Sequence, residues 1–362
     1  SYDPKERRSW RLWRKERVEG ARVVRVGSTT FSRHLMRERV VNYLTYVALG
    51  VPTSLFLGCD VVLAMTDPPF AGIAGAFIAM LKRRPFIYNI RDLYPDMALG
   101  GSLIPPGILS RVWERLHRWA LRRAKRIIVL GDDMRERITE KGVEAARVAI
   151  VRDGVYAPAV RSLGEPPDEN VVRAIRGDSR FVLLHAGNLG FYGAWDTLIA
   201  AARILEKSDP GIALVFVGQG AERERLGALA ESCKSVRFLP YFPASKIPSV
   251  IAAGDAHVIT VKRALQGVVV PSKMYETLCA GKPILAVAPG GCDAARIALQ
   301  RGCGMAADPD KPAEVAEAAR ILASDGERVR RMGQTARAAA LDYDRLRELS
   351  HFVAIVEEAK SA

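Results

Sequence analysis

The chain has 362 residues, of which 49% are hydrophobic and 26% charged, so its composition is that of a globular protein and excludes a disordered one. The length allows two domains of ordinary size, each with its own core. The five cysteines lack CxxC spacing and the five histidines do not cluster, which argues for a reducing compartment and against a disulfide framework or a zinc site. Residues 1–150 hold 27 of the 54 Lys and Arg but only 15 of the 40 Asp and Glu, and this excess of positive charge favours an anionic partner.

The first half of the chain alternates between predicted strands and helices. ARVVRV (21–26) is a predicted strand. The mostly apolar stretch from Arg39 to Leu57 predicts a buried or interfacial helix and not a membrane span, because a Gly50–Val51–Pro52 break interrupts it. Alternation of this kind predicts a parallel sheet that is covered on both faces. Further strands are predicted at 60–65, 85–90, 126–131 and 148–155, and helices at 69–84, 110–125 and 132–142.

A turn-rich segment, 157–170, predicts a linker, and a second alternating series follows it. The two series together predict two Rossmann-like domains that face a cleft, in which ligands bind beyond the carboxyl ends of the strands. The second series has strand-and-loop segments at 181–190, 212–220, 237–241, 256–262, 284–291 and 303–309, a helix at about 194–206, a helix after residue 291 and two late helices.

The segment VVVPSKMYETLCAGKPIL (268–285) carries the most informative pattern of the chain. A buried strand leads through Pro271 into a short helix that Ser272 is expected to cap. Lys273 at the start of that helix suits phosphate oxygens, and Glu276 one turn deeper suits sugar hydroxyls. This combination favours a nucleoside diphosphate sugar as ligand, although the same spacing also occurs in ordinary strand–helix units.

Other loops also follow predicted strands. HAGNLG (185–190) and VGQG (217–220) place small residues where backbone N–H groups can approach a ligand. The first also fits a tight strand–helix turn, and the second also fits a loop that only shapes the wall of the nucleotide pocket. NIRDLYPD (89–96) offers Asp92 to an acceptor hydroxyl, and it also fits a solvated loop with an Arg–Asp pair. The basic helix at 110–125 favours a membrane surface over nucleic acid, because no nucleic-acid-binding signature accompanies it.

Several of these segments, in this order, resemble family 4 of the retaining, GT-B-fold glycosyltransferases. The branch they resemble comprises bacterial enzymes that build O-antigen, capsule or exopolysaccharide. The resemblance covers nearly the whole chain. It is carried by the hairpin Tyr2 to Val26 and by RDLYPD (91–96), RIIVLGDDMRERITEKG (126–142), VRDGV (151–155), HAGNLG (185–190), VGQGAERERL (217–226), PSKMYETLCAGKP (271–283) and DAARIALQRGCG (293–304).

The resemblance implies an α/β, GT-B architecture: an acceptor-binding, membrane-facing domain at 1–156, a nucleotide-sugar domain at 157–340, and a helix at 341–362 that crosses back. It implies that Glu276 binds the ribose hydroxyls, that Ser272 and Lys273 hold the diphosphate, and that Asp92 lies on the acceptor side. Asp92, Lys273 and Glu276 are therefore the expected catalytic residues, and no cofactor or obligatory metal is expected. The expected donor-binding residues are Gly187, Asn188, Leu189, Gly190, Gly218, Lys262, Pro271, Ser272, Lys273, Tyr275 and Glu276.

The chain departs from the family pattern in three places. Val268 stands where the first glutamate of the family's Glu–seven residues–Glu signature is expected. The loop at 187–190 lacks the usual nearby Arg and Lys pair, for which Lys262 or Lys273 is the expected substitute. The family's first strand and glycine-rich loop would precede Ser1, so the first domain is expected to lack its first strand and helix.

The predicted function is transfer of a hexosyl or N-acetylaminosugar group, with retention, from a nucleotide-sugar donor to a lipid-linked saccharide acceptor in cell-surface polysaccharide synthesis. The donor is expected to be UDP-linked. We expect a cytoplasmic, peripheral enzyme on an anionic membrane surface, the inner face of the bacterial plasma membrane, with no nucleic acid partner. The alternatives are a nucleotide-sugar 2-epimerase on the same fold and a non-catalytic sugar-nucleotide-binding membrane adaptor.

Overall fold

The structure, a computed structural model, describes residues 12–31, 36–155 and 166–361. Its strands are β1 (Trp13–Val18), β2 (Ala21–Val26), β3 (Val62–Ala64), β4 (Phe86–Asn89), β5 (Arg126–Val129), β6 (Val148–Ile150), β7 (Phe181–Ala186), β8 (Ile212–Val217), β9 (Val236–Leu239), β10 (Ala256–Thr260), β11 (Ile284–Val287) and β12 (Gly304–Ala307). Its helices are α1 (Met36–Leu55), α2 (Ala71–Lys82), α3 (Asp96–Gly100), α4 (Ile108–Arg123), α5 (Asp132–Glu140), α6 (Glu169–Arg176), α7 (Trp195–Ser208), α8 (Arg223–Leu229), α9 (Ile247–Ala253), α10 (Lys273–Cys279), α11 (Asp293–Gln300), α12 (Pro312–Ser324), α13 (Gly326–Ala340) and α14 (Arg345–Ser361).

The chain forms two compact units, and their boundaries differ from the predicted ones. The first unit contains residues 1–90, 107–128 and 355–362, and the second contains 91–106 and 129–354. The segment with Asp92 therefore belongs to the same unit as Glu276, and the predicted boundary at 156 lies inside the second unit. Of the predicted crossing helix 341–362, only the end of α14 belongs to the first unit, where Lys125 Nζ donates to the Ala359 carbonyl at 3.1 Å.

The start of the described chain is a two-stranded hairpin. β1 and β2 pair antiparallel, with Val18 opposite Ala21. Glu19 and Gly20 have φ values of 49° and 85°, which fits the two-residue turns that match strand twist. The predicted strand at 21–26 is confirmed, while the part of the expected hairpin before residue 12 lies outside the described residues.

The remaining strands form two sheets, as the alternation predicted. The strand orders are β3-β4-β5-β6 and β12-β11-β10-β7-β8-β9. All five pairs of the six-stranded sheet are parallel. Every residue of β8, β10 and β11 is buried, because helices cover this sheet on both faces. The predicted α/β class with parallel sheets is confirmed.

The two faces of the six-stranded sheet have separate cores. Phe181 and Leu183 of β7 pack into one core with residues of α7 and α12, while Val182 and Leu184 pack into the other with residues of α6 and α9. This division follows from the alternation of side chains along a strand. The predicted linker 157–170 lies mostly outside the described residues, and α6 already begins within it at Glu169.

The apolar stretch predicted at 39–57 forms α1, with Pro52 inside the helix. Among the helices of the described residues, none combines the length and the apolar character that crossing a bilayer requires. The two late helices predicted after the last strand are three in the structure, α12, α13 and α14.

Candidate functional site

The order of the six strands marks one place in the second unit as the expected ligand site. From β7 the chain adds β8 and β9 on one side and then β10, β11 and β12 on the other. Ligands of open parallel sheets bind at such a switch point, beyond the carboxyl ends of the strands. Here the ends of β7 and β10 lie side by side, and the loop after β7 is tied to the end of β10 where Ala194 N donates to Thr260 Oγ1 at 3.0 Å. The loops at 187–194 and 261–272 start from these two strands.

The two glycine loops pack against each other through their backbones. Gly187 N donates to the Val217 carbonyl and Leu189 N donates to the Gln219 carbonyl, both at 2.9 Å. A Cβ on Gly218 would stand 1.9 Å from the carbonyl oxygen of Gly187, so only glycine permits this approach. The N–H groups of Gly187 and Leu189 are therefore engaged inside the protein, which corrects the expectation that they face a donor.

Other residues of the loop after β7 differ in exposure. Asn188 is exposed, and its carbonyl accepts a hydrogen bond from Tyr192 Oη at 2.5 Å. The Leu189 side chain is completely buried and belongs to the core, so it is not a ligand contact. Gly190 is buried, and its carbonyl accepts from Trp195 Nε1 at 2.7 Å.

The segment predicted to hold the diphosphate supplies two charged side chains to the site. Lys273 Nζ lies 3.1 Å from a Glu276 carboxylate oxygen, and each side chain is about half exposed. Pro271 is partly buried and Ser272 is exposed at the start of α10, where the serine side chain makes no capping hydrogen bond. The expected Ser272 cap is therefore absent, and Lys273 is the nearest positive charge that the segment offers.

Tyr275 does not join the charged pair. Its side chain is 1% exposed and its ring lies 5.3 Å from that of Tyr343, centroid to centroid. Burial raises the pKa of its hydroxyl well above the ordinary value, against the opposing effect of Arg152. The Tyr275 ring therefore packs α10 onto the rest of its unit, and its contact with the donor stays a prediction.

A small cavity connects the strand ends with α10. It is lined by residues 184–186 at the end of β7, by 257–259 within β10, by Ile251 of α9, and by Lys273, Glu276 and Thr277 of α10. Two buried histidines, His185 and His257, complete its wall. Burial lowers the pKa of both imidazoles to about 4, so both are neutral at pH 7. The sequence pattern drew attention to the glycines that follow His185 and missed the histidine itself.

Lys262 adds a second cation at the switch point. It directly follows β10 and Val261, is partly buried, and its backbone N–H donates to the Tyr192 carbonyl at 2.8 Å. Within the described residues its ammonium group has no carboxylate partner. Because a partly buried cation with no partner favours an anionic ligand, Lys262 fits the expected role of a diphosphate contact.

Asp92 lies beside the strand that leads into α10. Its backbone forms an antiparallel bridge with Val269, and Leu93 N donates to the Val268 carbonyl at 2.9 Å. The Asp92 side chain is exposed. Val268, where the family pattern has a glutamate, is completely buried, so its side chain offers nothing to a ligand. The predicted catalytic residues Asp92, Lys273 and Glu276 therefore all lie in one unit. The backbone of Asp92 contacts the segment that leads into α10, and α10 carries Lys273 and Glu276.

A pair of buried aspartates outside this site joins the starts of α5 and α11. Asp293 Oδ1 accepts from the backbone N–H of Asp132 at 3.1 Å, and Asp133 Oδ2 accepts from Asp293 N at 3.3 Å. Burial, together with the charge of Asp293, raises the pKa of Asp133 to about 7. The reciprocal hydrogen bonds indicate a structural joint between two helix N-termini.

Comparison with known proteins finds family models that match both halves of the chain. The family model described as "Glycosyl transferases group 1" matches residues 169–339, and that described as "Glycosyl transferase 4-like domain" matches residues 3–154. Each of the two halves of the chain thus matches a glycosyl transferase domain family. The first match contains the loops after β7 and β10 and the Lys273–Glu276 pair, so the candidate site lies in the part of the chain that matches the group 1 model.

Relatives and solved structures are similar at low identity. The chain is 24% identical over 265 residues to the probable glycosyltransferase WbjE of Pseudomonas aeruginosa, covering 71% of this chain and 64% of the relative. It is 24% identical over 232 residues to the putative colanic acid biosynthesis glycosyl transferase WcaI of Escherichia coli K12, covering 61% and 56%. The chain thus spans less than two thirds of each. The structure of Anabaena HepE with UDP-glucose is similar in fold, with a TM-score of 0.68, 18% identity, and coverage of 90% and 84%.

Proposed function

We propose that this glycosyltransferase moves a sugar, with retention, from a UDP-linked donor to a lipid-linked glycan of a bacterial cell-surface polysaccharide. The observation that carries the proposal is the Lys273–Glu276 pair beside the carboxyl ends of β7 and β10. HepE, which shares the fold, has been solved with UDP and with UDP-glucose, which supports a uridine nucleotide. The name of WcaI supports a role in polysaccharide synthesis.

In this proposal the ion pair between Lys273 and Glu276 breaks when the donor binds. Glu276 accepts hydrogen bonds from the ribose hydroxyls, and Lys273 turns to the diphosphate. An ion pair whose partners are half exposed is worth only about 0–1 kcal/mol, so splitting it costs little. Ser272 and Asn188, both exposed, line the approach to the same region.

The reaction breaks the bond between the anomeric carbon and the diphosphate oxygen, and negative charge develops on the leaving UDP. Lys273 and Lys262 stabilise that charge, and fixed positive groups at a developing charge are worth several kcal/mol of barrier. The acceptor hydroxyl attacks the anomeric carbon on the face that the diphosphate leaves, and its proton passes to the departing diphosphate oxygen as the new glycosidic bond forms. Asp92, exposed beside the strand before α10, orients that hydroxyl. We expect no metal requirement, so turnover should be unchanged by EDTA.

The acceptor's lipid requires contact with a membrane, and α4 has a face that fits one. Arg111 and Arg115 are exposed beside an apolar patch on this helix. Arg118, one of the arginines nearer the carboxyl end of the helix, already pairs with Glu114. The apolar amino-terminal end of the helix is therefore the better candidate for docking. We propose that this face meets the anionic inner surface of the plasma membrane. The patch consists of Ile108, Leu109, Val112 and Leu116, which are 73%, 86%, 44% and 46% exposed.

Turnover separates this function from its alternatives. Release of UDP from a panel of UDP-sugars is measured with and without polyprenyl-diphosphate-linked saccharides, in wild type and in Glu276→Ala. We expect release only when an acceptor is present, and its loss in the variant. UDP release or a changed sugar without acceptor would indicate the 2-epimerase, and binding without any turnover would indicate the adaptor.

The matched control is Glu314→Ala. Glu314 also pairs with a lysine three residues earlier, Lys311, at 2.7 Å, and its side chain is exposed to a similar degree, 49% against 46% for Glu276. A comparable loss of turnover in this control would show that removal of any such pair disables the protein, and the assignment of Glu276 would fail.

A further inference from the structure

His185 is a buried polar residue for which the proposed reaction gives no role so far. It stands at the end of β7, is 4% exposed, and packs edge-on against Trp195 with ring centroids 4.8 Å apart. Its Nδ1 lies 3.2 Å from the Val258 carbonyl, whereas its Nε2 is buried and makes no hydrogen bond to any residue that the structure describes. A buried polar atom without a partner is rare enough to require an explanation.

The hydrogen bond to Val258 determines what the free nitrogen can do. A carbonyl only accepts, so Nδ1 must carry the proton of the neutral imidazole, and Nε2 presents a lone pair. The protonated form is disfavoured because burial lowers the pKa of His185 to about 4, although the backbone of Val258 and of Asn188 opposes this shift; the charge of Lys273 adds a smaller lowering. Nε2 is therefore an acceptor and cannot bind a phosphate oxygen, which is an acceptor too. Its partner must be a donor.

A strong donor that lines the same cavity is the ammonium group of Lys273. The point where a Cβ on Gly187 would stand lies 3.7 Å from His185 Nε2 and 3.6 Å from Lys273 Cε, so the imidazole and the lysine stem flank the same backbone position. Both residues also line the small cavity at the strand ends. In the structure the Lys273 ammonium group is held by Glu276 at 3.1 Å. Once Glu276 binds ribose, the ammonium group, which has three N–H donors, can bond to the diphosphate and still donate to a second acceptor.

We propose that His185 is a positioning residue for the diphosphate-binding lysine: its Nε2 accepts a hydrogen bond from Lys273 when the nucleotide takes Glu276 away. The imidazole holds the ammonium group at the end of β7 without neutralising it, so the full positive charge remains for the diphosphate. The inference rests on the proposed function, since it concerns the same donor site. It assigns that site a residue that contacts neither the sugar nor the phosphates.

The test compares UDP with uridine, because only UDP carries the phosphates that Lys273 would hold. Calorimetric titrations of both are made on wild type, His185→Phe, His185→Gln, Lys273→Met and the His185→Phe/Lys273→Met double variant. Phenylalanine keeps the ring shape against Trp195 and removes the acceptor, whereas glutamine keeps an acceptor oxygen. His257→Phe is the control, because His257 is a buried histidine of the same cavity whose Nε2 already bonds to the Ile251 carbonyl at 2.9 Å.

We expect His185→Phe to bind UDP about ten-fold more weakly than wild type, the size of one hydrogen bond to a charged group, and to bind uridine unchanged. His185→Gln should retain most of the UDP affinity. In the Lys273→Met background, His185→Phe should have no further effect, because the partner is gone. His257→Phe should leave the ratio of UDP to uridine affinity unchanged.

Three results would overturn the inference. Equal losses for UDP and uridine would show that His185 only maintains the fold. Losses that multiply in the double variant would show that His185 and Lys273 act independently. If His185→Phe bound UDP as tightly as wild type, the imidazole would not be needed to position Lys273. By contrast, a wild-type chain that binds no UDP, or a Lys273→Met variant that binds it normally, would refute the donor-site proposal itself.

Discussion

Gly218→Ala tests whether the packing of the two glycine loops shapes the donor site. The added Cβ would stand 1.9 Å from the Gly187 carbonyl oxygen and 2.9 Å from its carbon, so one backbone must move by more than an ångström. Both backbones are held, because Gly218 N donates to the Leu239 carbonyl and Gly187 N to the Val217 carbonyl, each at 2.9 Å. Overpacking of this kind costs about 1–3 kcal/mol, and a hydrogen bond lost in relieving it about 1 kcal/mol more.

Gly187→Ala is the matched control. Gly187 and Gly218 have φ values of 158° and 151°, so an alanine meets nearly the same backbone penalty at either position. A Cβ on Gly187, however, meets no atom closer than 3.6 Å. The difference between the two variants therefore isolates the collision, and we expect Gly218→Ala to be less stable than Gly187→Ala by about 2–4 kcal/mol.

Urea unfolding followed by circular dichroism measures the difference, and UDP titration below the unfolding transition measures its effect on the site. We expect Gly218→Ala to lose UDP affinity as well as stability, because the loop after β7 shifts. Equal unfolding free energies for the two variants would refute the reasoning that the carbonyl of Gly187 is fixed in place.

Three further predictions concern charge and the membrane. Asp96→Asn should lower the free energy of unfolding by about 3–5 kcal/mol in thermal or urea melts, because it removes the largely buried carboxylate charge that faces Lys141 at 2.7 Å and Arg137 at 3.0 Å. The pKa of Asp133 is raised to about 7, so the free energy of unfolding should fall as pH rises from about 4 to 7, by up to about 4 kcal/mol. Asp133→Asn should flatten that pH dependence, and an unchanged slope would refute the assignment. Leu109→Glu should weaken sedimentation with anionic vesicles about ten-fold, while the equally polar change Leu299→Glu, at a leucine 57% exposed in the second unit, should not.

The elements that the sequence predicted well are those whose signal is local. The alternation of buried strands and helices gave the α/β class, and β7, β8, β10 and β11 begin at the predicted residues. The strand–helix unit around α10 also formed, and its end at Gly281, with φ of 65°, follows from the freedom of glycine there.

The misses concern features that depend on distant parts of the chain. The Tyr275 side chain packs against Tyr343, which is distant in the sequence. A helix of seven residues has too little periodicity to predict which of its side chains are buried. The Asp133–Asp293 joint connects residues 160 positions apart, which no local pattern reports. His185 looked like part of a buried strand, and only the lack of a partner for its Nε2 distinguishes it from an ordinary core histidine.

The most direct test of the central claim is calorimetric titration of UDP into wild type, Glu276→Ala and the control Glu314→Ala. We expect wild type and Glu314→Ala to bind UDP equally and Glu276→Ala to bind it at least ten-fold more weakly, since a hydrogen bond to a charged group is worth roughly 1.5–3 kcal/mol. Equal affinities in all three proteins, or no binding of UDP to wild type, would contradict the assignment of the donor site to Glu276 and the strand ends of β7 and β10.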